Sequence, residues 1–545
     1  MLPDRPKHSA SRPFFERLRH PLPQRASGAA LLIAMLATQG CSSLSQWAHN
    51  GFKVGPNYAE PGASVATEWV DHADAKVVST SAQDQAWWTV FNDPTLNRLI
   101  DTAYRQNLDL HAAAARIVEA RARRGIALGN LFPQSQKAIG AYAHGQLSRN
   151  LALPLPSTLN VFADGFNASW ELDFWGHYRR SIEAADANLD ATTEDYGNSL
   201  VMLLAEVATN YVQLRTAEQR LAFARDNVVI QQKSADLAQA RFDAGTTTEL
   251  DLRQAKASLA QTQATIPPLE AARRLAANQI CILLGSPVSD LATQLEPAPI
   301  PTAPSTVAVG LPADLLRRRP DVRQAERLVA AQSAQIGIAE ADFYPRLGVN
   351  GFIGYAAKDF DDLFKGSSFT AFVLPTLQWN ILNYGRICNN VLAQEALFHA
   401  TELTYQQTVL KAGREVEDAL VQFIQAQQQT LYLEQSVAES RRAVEIAQVQ
   451  FEGGIVDFNR VYTNQSQLVT QQDLLGTARG NIALYLVQVY KAIGGGWDYF
   501  CQGQGMPELV PVASPAEPNS VESKSIEPIP AETGPVESNP PRPNS

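Results

Sequence analysis

Two stretches of the chain carry apolar residues on a four–three spacing over an unusual length. Between 177 and 242 the seam runs through Leu200, Leu204, Val207, Tyr211, Leu214 and Leu221, and between 386 and 451 through Val409, Val416, Leu420 and Phe423. This spacing lines one side of a helix and forms the seam that coiled-coil packing needs. About 66 residues at about 1.5 Å each predict helices of roughly 100 Å, far beyond the ordinary globular length. Shorter helical stretches at about 95–130 and 312–342 precede them, each ending near a proline. A return helix follows each long one after a glycine, Gly245 or Gly454. Stacked end to end, each short helix and return helix would approach the length of a long one.

Other segments alternate. Phe166, Ala168, Trp170, Leu172 and Phe174 fall on one face, with Asn167, Ser169, Glu171 and Asp173 on the other. Phe369, Ala371, Val373, Leu377 and Trp379 likewise oppose Thr370, Thr376, Gln378 and Asn380. Residues near 136–147 and 346–356 are the weaker partner strands. Period-two alternation suits a membrane barrel, with lipid outside and water inside, and equally a soluble hairpin with one face on a core. Pro375 removes a ladder donor and predicts a bulge or bend.

These elements occur twice. Trp170 recurs as Trp379, Phe174-Trp175-Gly176 as Asn383-Tyr384-Gly385, Arg241–Gly245 as Gln450–Gly454 and Leu284-Gly285 as Ile493-Gly494, all offset by 209 residues. Leu131-Phe132-Pro133 matches Phe343-Tyr344-Pro345 at an offset of 212. One match can arise by chance; five in the same order imply an internal duplication. Four strands cannot close a barrel, and an open edge in lipid costs several kcal/mol per unpaired backbone group. The protomer must therefore share its barrel. Three copies would supply twelve strands, an even number within the bacterial range. The predicted fold is a mixed α and β membrane protein: a trimeric 12-stranded β-barrel, four strands per protomer, continuous with a long α-helical barrel.

Composition adds an address and excludes partners. Arg5, Lys7, Arg12, Arg17, Arg19 and Arg25 precede an apolar run from Ala29 to Ala37, too short to span a bilayer, and Cys41 follows Gly40. This predicts a lipoprotein signal peptide over 1–40 with lipidation of Cys41, and Ser42 beside it resembles outer-membrane sorting. No run of 18 apolar residues predicts a membrane-spanning helix. The net charge is −10, and residues 1–40 hold six basic and two acidic groups, leaving the rest 39 basic and 53 acidic. That balance excludes nucleic acid as a partner. Cys281, Cys388 and Cys501 lack metal-ligand spacing and read by default as buried free thiols, with a disulfide in this compartment as the alternative that spacing does not decide. The expected division is a lipid-anchored extended segment at 41–94, a first repeat at 95–290, a linker at 291–311 and a second repeat at 312–500. A disordered Pro-, Glu- and Ser-rich tail at 501–545 completes it.

In combination these residues resemble the TolC-like outer-membrane factor family, specifically its NodT-type efflux lipoproteins. The carriers are Val54-Gly55-Pro56-Asn57-Tyr58, Trp87-Trp88 with Phe91-Asn92-Asp93-Pro94, Phe132-Pro133, and Glu171-Leu172-Asp173-Phe174-Trp175-Gly176. To these add Leu315-Leu316-Arg317-Arg318-Arg319-Pro320-Asp321-Val322, Arg241–Gly245 and Asp457-Phe458-Asn459-Arg460-Val461. The resemblance implies the outer-membrane duct of a tripartite efflux pump, with a periplasmic adaptor and an inner-membrane RND-type transporter as partners. It implies adaptor contact at the helix-to-helix tips, around Arg241, Gly245 and Gly454. It implies an aperture on the first turns after the second tip, at Ile455, Asn459 and Thr463. The family often has aliphatic residues at the first two of these places and Asp at the third, so Asn459 and Thr463 depart from it. Asp457 and Arg460 could pair between neighbouring helices to hold the closed state.

An enzyme is disfavoured: the chain has no phosphate-cradling glycine loop, metal-ligand cluster or nucleophile elbow, and its eight histidines are scattered. No cofactor or metal is expected. A duct for type I protein secretion and a non-conducting trimeric coiled coil remain the alternatives.

Overall fold

The computed structural model describes residues 44–78, 84–146, 158–291, 295–314 and 318–499. The stretch expected as a signal peptide, Cys41, Cys501, the stretch expected as a disordered tail and residues 315–317 of the Arg-rich motif lie outside the described residues. Two helices dominate, α4 (His177–Asp243) and α7 (Arg386–Glu452), of 67 residues each. The return helices α5 (Glu249–Leu283) and α8 (Phe458–Ala492) have 35 residues each. Two helices of 22 residues, α3 (Leu108–Gly129) and α6 (Pro320–Ala341), complete the outer layer. A short α1 (Leu44–His49) and α2 (Pro94–Gln106) lie ahead of them, and a two-residue parallel pair joins β1 (Val77–Val78) to β4 (Val307–Ala308).

The stretch expected as one helix over 95–130 is broken at Asn107. Its backbone is extended (φ −65°, ψ 124°), so it ends α2 and caps α3. Its carboxamide oxygen accepts from the Leu110 N–H at 2.8 Å, and its Nδ2 donates to the Leu283 carbonyl at the end of α5 at 2.9 Å. Arg319, just before α6, repeats the device by donating to the Ala492 carbonyl of α8 at 2.7 Å. Return helix and short helix thus abut end to end, and each junction satisfies a helix-terminal carbonyl that would otherwise be orphaned.

β2 (Ser135–Gln146), β3 (Thr158–Leu172), β5 (Arg346–Ala357) and β6 (Phe369–Gln378) form one antiparallel sheet in the order β2-β3-β5-β6. The bulge expected at Pro375 is absent. Pro375 sits opposite Val349 in an unbroken register, and β6 is an edge strand, where a missing N–H costs no internal bond. The apolar side is the bare one: Phe166 is 67% and Val373 73% exposed, while Asn167 and Ser169 opposite are half-buried. A hairpin resting on a core would bury the reverse set, so that arrangement is excluded within the protomer.

The main core lies midway along the helices. It contains Leu200, Leu204, Val207, Tyr211 and Leu214 of α4 and Val416, Leu420 and Phe423 of α7, the predicted seam residues. Trp87 stacks on Tyr490 at 5.4 Å, and Asp93 both caps α2 and accepts the Tyr211 hydroxyl at 2.7 Å. Burial and that acceptor push the Tyr211 hydroxyl up to about 12.

The segment after α1 is strapped to the helices. Trp47 packs against Phe174 and Trp175, with ring centroids 5.2 and 5.6 Å apart. Arg180, buried in α4, donates to the Val54 and Gly55 carbonyls, both at 3.0 Å, and to Asn57 and Glu183. Lys53 pairs with the same Glu183. The Tyr58 hydroxyl donates to Glu326 of α6 at 2.7 Å. Gly55 crosses α6 where a Cβ would stand 2.4 Å from the Gly337 Cα. At Gly454 a Cβ would meet nothing within 4 Å, yet its φ of +73° is close to the +81° of Gly55. Gly55→Ala should therefore lower the midpoint of thermal unfolding by several degrees more than Gly454→Ala. Equal shifts would show that backbone angle alone, worth about 1–2 kcal/mol, sets the cost.

Candidate functional site

The candidate site is the far end of the two helical hairpins. Each long helix stops the same way. Gly245 (φ +65°) and Gly454 (φ +73°) take the left-handed region. The Thr246 N–H then reaches back to the Arg241 carbonyl, and the Ile455 N–H to the Gln450 carbonyl, both at 2.9 Å. This closure of the last helical turn needs a residue without a Cβ penalty. Thr248 and Asp457 then start the return helices by accepting the Asp251 N–H at 3.2 Å and the Arg460 N–H at 3.3 Å.

The two tips hold each other. Arg241 donates from one guanidinium to the Phe451 and Glu452 carbonyls, both at 2.6 Å, and lies 4.7 Å from the centroid of the Phe451 ring. It thereby caps α7 from α4, so its head group is engaged within the protomer. Burial pushes the Asp251 carboxyl up, but hydrogen bonds from Thr248, Thr247 and the Phe458 backbone outweigh it and hold the group below its usual range. Beneath, Leu252, Phe451, Phe458 and Val461 form a separate apolar cluster. Further along, Ser234 meets Gln465 at 2.9 Å, Asn227 meets Gln472 at 2.7 Å, and Arg220 meets Asp473 at 2.7 and 3.0 Å.

Ile455, Asn459 and Thr463 are all exposed, Ile455 at 75%. They do not all lie on a helix, as the sequence suggested. Asp457 caps α8 so that it starts at Phe458, which leaves Ile455 in the turn. Thr463 donates to the Asn459 carbonyl at 2.9 Å. Within the protomer, Asp457 meets Arg460 through the backbone N–H, in its capping role. Sequence reasoning missed the clamp by Arg241 and the strap held by Arg180, because both join residues more than 120 positions apart with no local signal. Cys281 is buried as expected, but Cys388 is exposed near the start of α7. Among the described residues no cluster of three His, Cys, Asp or Glu could hold a metal, and no helix is long and apolar enough to cross a membrane.

Comparison with known proteins supplies the family. The chain is 33% identical over 310 residues to nodulation protein T of Rhizobium leguminosarum bv. trifolii, covering 56% of this chain and 64% of that protein. It is thus matched to a little under two thirds of that relative's length. It is 29% identical over 480 residues to the toluene efflux pump outer membrane protein TtgF of Pseudomonas putida, covering 85% of this chain and 95% of that one. The solved structure of the outer-membrane channel OprN superimposes with a TM-score of 0.78 at 31% identity, over 82% of this chain and 99% of that chain. A profile of the outer membrane efflux protein family matches residues 99–286 and 311–495, and the chain, which is not an enzyme, belongs to that family of outer-membrane channels.

Proposed function

We propose that the protein is the outer-membrane duct of a tripartite efflux pump. In this reading it is a trimer held at the membrane by its barrel and by lipid on Cys41, and it passively conducts small drug-like or toxic compounds. An adaptor would meet the tips, and an RND-type transporter would load the duct from the inner membrane. The name of the toluene-pump relative supports small apolar solutes over secreted protein.

One observation carries the trimer. If the two halves arose by duplication, each contact of α4 with the second half should have a counterpart made by α7. Inside the protomer α4 packs on α6 and α8, and β3 pairs with β5. The counterparts would join α7 to α3 and α5, and β6 to β2, and only a second copy can supply them. The bare apolar surface lies there. Nine large apolar residues are exposed on α7, against three on α4. Val212 of α4 is fully buried, while Val421, 209 positions on, is 42% exposed. A head-to-tail interface of this kind closes into a ring when its rotation permits.

Leu410→Glu and Val421→Glu should each prevent trimer formation in detergent while leaving helix content intact. A native mass of one chain with an intact barrel would overturn the trimer itself.

Replacing Gly245 and Gly454 with Trp should abolish cross-linking to the adaptor without affecting insertion. Undiminished cross-linking would remove the tips as the docking site.

The aperture reading is tested by conductance of the purified protein in planar bilayers. Asp457→Asn keeps an acceptor at the head of α8 but removes the charge, and with Arg460→Ala it should raise resting conductance, with Ile455→Ala raising it further. The contribution per exposed charge pair is only about 0–1 kcal/mol, so the rise should be a few-fold. If conductance and exclusion of vancomycin from cells stay unchanged in all variants, the constriction lies elsewhere.

A further inference from the structure

Paired residues in a sheet share a face, so the register sorts the strand residues into two sides. The side opposite the bare apolar face is small or polar over most of its length, with Gly165, Ser169, Gly354 and Thr370 among its members. Two aromatic rings stand on it among the described strand residues, Phe352 and Phe372. They are directly opposed across β5 and β6, with centroids 5.8 Å apart and planes at 27°. The same row continues through Asn167 of β3 to Lys137 of β2. Arg346 and Glu171, also on this side, pair at 3.7 Å, which leaves Lys137 as its cation with no ion-pair partner among the described residues.

Resting on the duct reading, in which this side faces the lumen, we propose that the row is a binding site for planar aromatic anions on their way through the barrel. The two rings offer faces and edges for stacking, and such aromatic contacts prefer flat partners. The Lys137 ammonium supplies the complementary charge. At about 4.8 Å per strand it stands about 10 Å from Phe352 across the row, the span of a fused aromatic system bearing an acidic substituent. Water fills the remaining width, so the site delays such a solute without excluding others. Symmetry would repeat the site three times at one height.

The test uses the full-length protein in lipid nanodiscs and the dye 8-hydroxypyrene-1,3,6-trisulfonate, which is too highly charged to enter lipid. Fluorescence anisotropy should report binding to the wild type, weakened about tenfold or more in Phe352→Ser with Phe372→Ser, and weakened also in Lys137→Gln. Phe352→Leu with Phe372→Leu keeps the bulk, should assemble even if the serine pair does not, and should bind several-fold more weakly than wild type. Benzene-1,3,5-tricarboxylate should displace the dye, and its saturated cyclohexane counterpart should not. Absence of wild-type binding, equal displacement by the two tricarboxylates, or unchanged affinity in the leucine pair would each overturn the site. Native mass and bilayer conductance of the same preparations separate the two failures. A conducting trimer that ignores the dye leaves the duct standing, whereas a protein that neither trimerises nor conducts removes the reading beneath.

Discussion

The structure turns on one unsatisfied demand: the backbone hydrogen bonds along the outer edges of β2 and β6. A four-stranded sheet with an apolar side bare to its surroundings belongs in lipid, and lipid offers nothing to an unpaired N–H or C=O. Bending such a sheet back on itself would leave too narrow a barrel for its side chains. In the proposed trimer the edges are satisfied by copies of each other. The same geometry that presents β2 and β6 also leaves α7 without counterparts to the contacts that α4 makes with α6 and α8. β6 leads directly into α7 and α3 directly into β2, so on each flank strand edge and helix face open together and a single head-to-tail association would answer both.

Helices and strands were legible because each is governed by local periodicity. The seam from Leu200 to Leu221 and its counterpart from Val409 to Phe423 identified helices whose ends coincide within a residue or two with Gly176, Gly245, Gly385 and Gly454. Alternation located β3 and β6. It could not say which side would be covered, because periodicity records that two faces differ and says nothing of what each meets. The burial of Asn167 and Ser169 beside the exposure of Phe166 answered that. The interruption at Asn107 was illegible for a different reason. No proline or glycine marks the junction between α2 and α3, and the break depends on the Leu283 carbonyl, 176 residues away.

At the tips, positions were legible without their contacts. Arg241 stands out as part of a repeated motif, but nothing in that motif shows that its guanidinium spans to the end of α7. The repeat-mate of Arg241 is Gln450, which shows where the two halves have diverged: one tip reaches for the other, and the reach is not returned. The strap is similar. Val54-Gly55-Pro56-Asn57-Tyr58 is recognisable as a motif, but its physical basis, the Arg180 guanidinium beneath it and the close passage over Gly337, exists only in three dimensions.

The abundance of polar pairs between α4 and α8, with Arg220 on Asp473 and Asn227 on Gln472, bears on the order of assembly. This seam joins parts of one chain, so it forms at a rate independent of concentration, and its polar groups are never left waiting. In the proposed trimer the equivalent seam on α7 waits for a diffusing partner, and α7 is far richer in exposed leucine, valine and tyrosine. A newly folded protomer is therefore sticky along one flank for as long as it remains alone. Its survival in the periplasm becomes a race between second-order encounter and aggregation, and the outcome depends on how many copies reach the membrane together.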